Sequence, residues 1–282
     1  MRGLFLIPGD AVSQLQSLPA VAAVAQHLKF RMQVACHPAA AGIWTLLPAV
    51  EKVIPFAFDQ ASLADWANLL GSVRDPDFQV CVNLASGRQV DLMLSMSHIP
   101  TRIAAGGFSA TTQVTPARGI WPVQALEAYL SPIGVPLQAD AFRLTLPRKA
   151  IESAQASLPP GDGPMLLLAR GGTASDWPAE RWQRLPDSIR SKLPSLRSHL
   201  GDAASPSAEP LMERAALVAS SDVILASDPL TSELALLCGV PLVALGRAPE
   251  TLPARDGVRG LVAAGGLADL AEDTVLGALG LG

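Results

Sequence analysis

Asp10 is the first residue of this chain placed to do chemistry. It closes the turn Pro8-Gly9-Asp10 between a short apolar strand, Gly3-Leu4-Phe5-Leu6-Ile7, and a long apolar helix pattern that ends near Leu28-Lys29. Open α/β sheets collect their ligands outside the carboxyl ends of the strands, so a carboxylate at a strand-to-helix turn sits where a substrate arrives. The same side chain has a plainer use, capping the helix by accepting a hydrogen bond from the orphan amides of its first turn. Both readings stand at this point. The other reactive side chains offer less. Cys36, Cys81 and Cys238 lie in apolar surroundings without ligand spacing and read as buried thiols in a reducing compartment. His27, His37, His98 and His199 are scattered, with no Cys/His cluster, so no metal site is expected.

The elements that must position Asp10 follow from the apolar pattern. Strand-length runs at Leu4 to Ile7, Met32 to Cys36, Lys52 to Phe56, Phe78 to Leu84 and Arg102 to Ala105 alternate with helical patterns. That alternation argues for a parallel sheet covered on both faces by helices. Between Phe108 and Pro147 the pattern loosens around five prolines, and Leu158-Pro159-Pro160-Gly161-Asp162-Gly163-Pro164 breaks the chain. A second set then begins at Met165 to Ala169 and resumes at Val223 to Ala226 and Pro241 to Leu245, with a helix starting near Pro178. The polar stretch Asp202 to Pro210 reads as a loop, and Leu261 to Leu281 as ending in one packed helix. The expected fold class is therefore α/β: two Rossmann-like, doubly wound parallel-sheet domains facing a cleft, the first over residues 1–157 and a shortened second over 158–282.

Composition narrows the function classes. The chain has 282 residues, enough for two ordinary domains, and 49% apolar against 16% charged residues excludes general disorder. A net charge of -4 with scattered basic residues gives no footprint for nucleic acid. No apolar run is long enough to span a bilayer, and the opening MRGLFLIPGD lacks a signal peptide's apolar stretch, so a cytoplasmic location is expected.

Four patterns, in order along nearly the whole chain, resemble the lipopolysaccharide heptosyltransferase family. They are the opening strand with Pro8-Gly9-Asp10 and Leu18-Pro19-Ala20; Leu47-Pro48-Ala49-Val50-Glu51-Lys52-Val53-Ile54-Pro55-Phe56; Asp176-Trp177-Pro178-Ala179-Glu180-Arg181-Trp182; and Ala216 to Asp228 followed by Leu234 to Leu245. The resemblance implies the two-domain GT-B fold and a metal-independent, inverting transfer of a sugar from a nucleotide-diphosphate sugar to a hydroxyl acceptor. It implies no cofactor beyond that co-substrate. The partners would be the nucleotide sugar and a glycan or lipid-linked acceptor, handled in the cytoplasm or at the inner membrane in cell-envelope or lipopolysaccharide synthesis. The aspartate matching Asp10 acts in that family as general base on the acceptor hydroxyl, and the second domain holds the nucleotide.

This chain departs from the pattern in its donor half. The family's lysine before the Trp-Pro pair falls on Ser175, next to the acidic Asp176. The Asp-Thr-Gly becomes Asp228-Pro229-Leu230, and the histidine that follows falls on Glu233. Arg170, before Gly171-Gly172-Thr173, can replace the lost cation, since a guanidinium pairs phosphate bidentately and a Gly-Gly turn lets amides approach an anion. Its alternative is a surface arginine on a turn. Asp228 reads equally as the N-cap of a helix that Pro229 begins. On the acceptor side Gly9, Arg88, Gly106 and Gly107 are the candidates, with Gly106-Gly107-Phe108 read as a mobile loop after the fifth strand. Trp177 and Trp182 read as core.

Three functions remain open from the sequence. The first is a diverged glycosyltransferase using Asp10 as base, with Arg170, Thr173 and the helix after Asp228 around the diphosphate. The second is a glycosyltransferase-like protein that has lost catalysis and serves as a binding or scaffold subunit with a protein partner. The third, an epimerase of nucleotide sugars, would need more acidic and histidine groups than this chain offers.

Overall fold

The computed structural model describes residues 1–74, 77–201 and 211–281. The polar loop expected over Asp202 to Pro210 lies outside the described residues. Contacts divide the chain into two compact units, Met1–Phe142 and Arg143–Gly282.

In the first unit, strands β1 (Arg2–Ile7), β2 (Arg31–Cys36), β3 (Val50–Pro55), β4 (Phe78–Asn83), β5 (Thr101–Ala104) and β6 (Thr112–Gln113) form one sheet in the order β3-β2-β1-β4-β5-β6, every neighbour parallel. Helices α1 (Ala11–Leu28), α2 (Leu63–Arg74) and α3 (Arg88–Met96) make the crossovers, with a 3-10 stretch at Pro38–Leu46. β1 is central and buried on both faces, which is why Leu4, Phe5, Leu6 and Ile7 run without a polar break. One core cluster gathers Leu4, Leu6, Ala35, Leu69, Val73, Val90 and Leu94 between the sheet and α2 and α3. The direction of strand order reverses between β1 and β4, so that the turns after these two strands flank the switch point where such sheets take ligands. Two short helices, α4 (Pro122–Ala125) and α5 (Glu127–Leu130), pack on α1.

The second unit begins with α6 (Arg148–Ser157), which packs against α8 (Leu211–Ala219). A sequence boundary drawn at the proline-glycine break puts this helix with the first domain, whereas the first compact unit already ends at Phe142. Strands β7 (Met165–Ala169), β8 (Arg197–Gly201), β9 (Val223–Ala226), β10 (Leu242–Leu245) and β11 (Val258–Leu261) are again all parallel, in the order β11-β10-β9-β7-β8. Here the switch point falls between β7 and β9. Helices α7 (Ala179–Lys192), α9 (Pro229–Cys238) and α10 (Glu272–Ala278) complete the layers. Trp177 and Trp182 are both buried, meeting edge to face at 5.4 Å, and the Trp177 indole N–H donates to the Leu270 carbonyl at 2.9 Å. Among the described residues no helix is long and apolar enough to cross a membrane.

The cysteines are free thiols, Cys36 and Cys81 buried and Cys238 half-buried. Burial pushes the Cys36 thiol up to about 11 and that of Cys238 to about 12, and raises Cys81 as well. A thiolate is the reactive form, so alkylation at pH 8 should leave Cys36 and Cys81 unlabelled in the native protein and label all three thiols in denaturant. Mass spectrometry of the labelled peptides checks this. Rapid native labelling of Cys36 or Cys81 would mean that the first sheet opens readily.

Candidate functional site

Asp10 stands at the switch point of the first sheet, directly after β1. Three interactions fix its turn. Gly9 has φ +97, a left-handed value that glycine tolerates, and a Cβ there would lie 2.6 Å from Ser13 Oγ. The Gln14 amide donates to the Asp10 carbonyl at 3.1 Å. The fully buried Gln14 side chain donates to the Ile7 carbonyl at 3.0 Å and accepts the Trp44 indole N–H at 3.2 Å, tying the strand end, the helix and the 3-10 stretch together. Asp10 itself caps α1: its Oδ1 accepts from Ser13 N at 3.0 Å and from Ser13 Oγ at 2.9 Å. The cap is therefore real, and it occupies one oxygen. Oδ2 is left without a partner among the described residues, so capping does not consume the carboxylate.

The exposed side of Asp10 opens on a hollow of about 490 Å³ lined by Pro8, Gly9, Asp10, His37, Phe58, Asp59 and three alanines. His37 follows β2 and Asp59 follows β3, so three successive strands deliver one polar side chain each to the same edge. Arg88, Gly106 and Gly107 are not among the residues lining it. Arg88 is exposed at the first turn of α3, after Gly87 with φ +124. The Gly106-Gly107 turn is tied down: the Asp91 carboxylate lies where a Gly107 Cβ would be, and Asp91 Oδ1 accepts from Ser109 Oγ at 2.6 Å. A larger hollow of about 720 Å³, lined by residues between Thr115 and Ala141, contains none of the candidates.

The donor candidates gather at the other switch point. Arg170, Gly171, Gly172, Thr173 and Ser175 follow β7, while Asp228, Pro229 and Leu230 follow β9. The turns meet through Gly171 N, which donates to Ser227 Oγ at 2.8 Å, and through Ser227 N and Asp228 N, which both donate to the Ala169 carbonyl. The half-buried Arg170 guanidinium has no partner among the described residues and is a free cation at this edge. The amides beside it are engaged. Gly172 N donates to Asp176 Oδ2 at 3.0 Å, and Asp228 Oδ2 caps α9, accepting from Thr231 N at 2.8 Å. Thr173 Oγ1 and Ser175 Oγ lie 3.3 Å apart and are exposed. Pro229 occupies the first turn of α9, where its missing N–H costs nothing, and Leu230 is half-buried.

Two residues at this edge, Arg214 and Arg247, escape the sequence reading. Arg214, from α8, brings Nη2 to 3.6 Å from Asp228 Oδ2, and its buried Nη1 has no hydrogen-bond partner. Glu233, wholly buried, pairs with Arg247 at 2.7 Å, and Arg247 also donates to the Thr251 carbonyl at 2.8 Å. The residue at the family's histidine position thus sits inside the unit, on a structural ion pair. In the first unit the overlooked residues are His37, Phe58 and Asp59.

No protein-family profile matches the sequence, and no curated protein is detectably similar to it. Solved structures do share its fold. A family 9 glycosyltransferase from Veillonella parvula superposes with a TM-score of 0.77 at 15% identity, covering 99% of this chain and 96% of that one. Escherichia coli heptosyltransferase WaaC, solved with ADP-2-deoxy-2-fluoro heptose, gives 0.72 at 17% identity and 99% of both chains. E. coli ADP-heptose lipopolysaccharide heptosyltransferase II gives 0.72 at 18% identity, covering 99% and 98%. The two-domain α/β fold implied by the motifs is the fold of these proteins.

Two substitutions check what holds the site. Gly9→Ala forces a left-handed backbone and a clash onto the turn, and should cost about 1–3 kcal/mol; an unchanged urea midpoint would mean the turn relaxes freely. Arg247→Ala removes an ion-pair partner of the buried Glu233 and the bond to the Thr251 carbonyl, and should lower the urea midpoint; an unchanged midpoint would mean the pair adds nothing to stability.

Proposed function

We propose that the protein is a glycosyltransferase that moves a sugar from a nucleotide-diphosphate sugar to a hydroxyl acceptor by a single, metal-independent, inverting displacement. The observation that carries the reading is Asp10: a carboxylate at a switch point, held by its cap on Oδ1, with Oδ2 uncommitted beside an open hollow. In the reaction Oδ2 accepts the acceptor hydroxyl's proton as that oxygen bonds to the anomeric carbon. The bond from that carbon to the diphosphate oxygen breaks on the opposite face, and the leaving group carries the electron pair away. Inversion follows from one displacement. The departing diphosphate needs positive potential, which Arg170, free at the second switch point, can supply as a bidentate partner. The likeness in fold to the heptosyltransferases supports this class of reaction, and the ADP-heptose in their names makes ADP-sugars the first donors to try.

A second reading, a non-catalytic binding or scaffold subunit, is favoured by one specific observation. The amides of Gly171 and Gly172 and the N-terminus of α9 are already satisfied by Ser227, Asp176 and Asp228, and the last two are acidic. A diphosphate would have to displace these contacts.

Calorimetry and thermal shift against nucleotide diphosphates and nucleotide sugars separate the two. The transferase reading expects saturable binding that raises Tm by mass action, an affinity about tenfold lower in Arg170→Ala, and turnover lost in Asp10→Asn with donor binding intact. Absence of binding at millimolar ligand would favour the scaffold subunit.

A further inference from the structure

The hollow beside Asp10 has a chemistry of its own. Its polar lining is two carboxylates, Asp10 and Asp59, and one imidazole, His37, with no lysine or arginine among the lining residues. His37 Nδ1 accepts the Ala39 amide at 3.2 Å, which assigns the proton of the neutral ring to Nε2 and makes that atom a donor. Nε2 has no partner among the described residues. Phe58 supplies the apolar wall, and its ring is backed edge to face by Phe56 at 5.0 Å and Trp66 at 6.2 Å, so the wall is rigid.

A pyranose ring matches this inventory. It presents a C–H face and a rim of hydroxyls, each of which both donates and accepts. The carboxylates accept from such hydroxyls and His37 donates to them. A carboxylated or phosphorylated sugar is mismatched, because its charge would face two like charges and find no cation. Resting on the transferase reading above, we infer that this hollow is the acceptor subsite, that it takes an uncharged sugar and discriminates against anionic ones, and that His37 and Phe58 hold the ring against Asp10.

Matched pairs of methyl glycosides test this without any donor: those of glucose, galactose and mannose against the corresponding uronates, titrated by saturation-transfer NMR. At least one neutral glycoside should bind, at least tenfold tighter than its uronate. His37→Asn keeps a side-chain oxygen for the Ala39 amide but loses the Nε2 donor, and should weaken the neutral glycoside about tenfold at an unchanged Tm. Asp59→Asn should narrow the gap between neutral and anionic partners. Binding of a uronate as tight as its neutral mate, binding of no glycoside, or a His37→Asn variant indistinguishable from wild type would overturn the inference. Nucleotide binding is measured on the same protein separately, so failure of the donor site and failure of this subsite give different results.

Discussion

Parallel pairing is the constraint on which the rest depends. When every strand of a sheet points the same way, all carboxyl ends lie on one edge, and each must be followed by a crossover that returns along a face. The strands are then buried on both sides, which explains why β7 is apolar from end to end and β1 from Gly3 to Ile7. Polar side chains that follow those strands have only the edge to occupy. Asp10, His37 and Asp59 converge for this reason, and Arg170 and Asp228 converge for the same reason on the second sheet. Neither group is contiguous in sequence.

The two edges resolve their polar groups differently. At the first, capping uses half of the Asp10 carboxylate and leaves the hollow lined by uncommitted acceptors and one donor. At the second, side chains of the protein pair with the amides of the glycine turn, and Arg170 is the group without a partner among the described residues. Leaving amides bare would be costly where they are partly buried, so Ser227, Asp176 and Asp228 stabilise this edge. An incoming phosphate would therefore exchange hydrogen bonds rather than add them, which places most of its attraction on the guanidinium.

Much of this was legible from residue types. The central strands announced themselves because burial on both faces demands uninterrupted apolar runs. β8 did not, since Arg197–Gly201 is an edge strand, half-buried and polar, and β6 is two residues long. The Gly9-Asp10 turn was readable because only glycine suits its backbone. His37 carried the same signal, a polar residue at the carboxyl end of a strand, yet stood unmarked because a lone histidine has no motif around it. Glu233 was visible as a departure, but its meaning depends on Arg247, which only the folded chain brings to it. The engagement of the glycine amides is likewise tertiary: Gly171 after β7 meets Ser227 after the neighbouring β9, 56 residues on in the chain.

The outermost strands bear on how the molecule behaves at high concentration. β3 carries Glu51 and Lys52 and ends in Pro55, which lacks an N–H, while β8 carries Arg197 and His199. Charges and a missing donor along an open edge discourage another chain from extending the sheet. Two sheets of largely apolar strands present edges that could template aggregation, and these edge residues work against it.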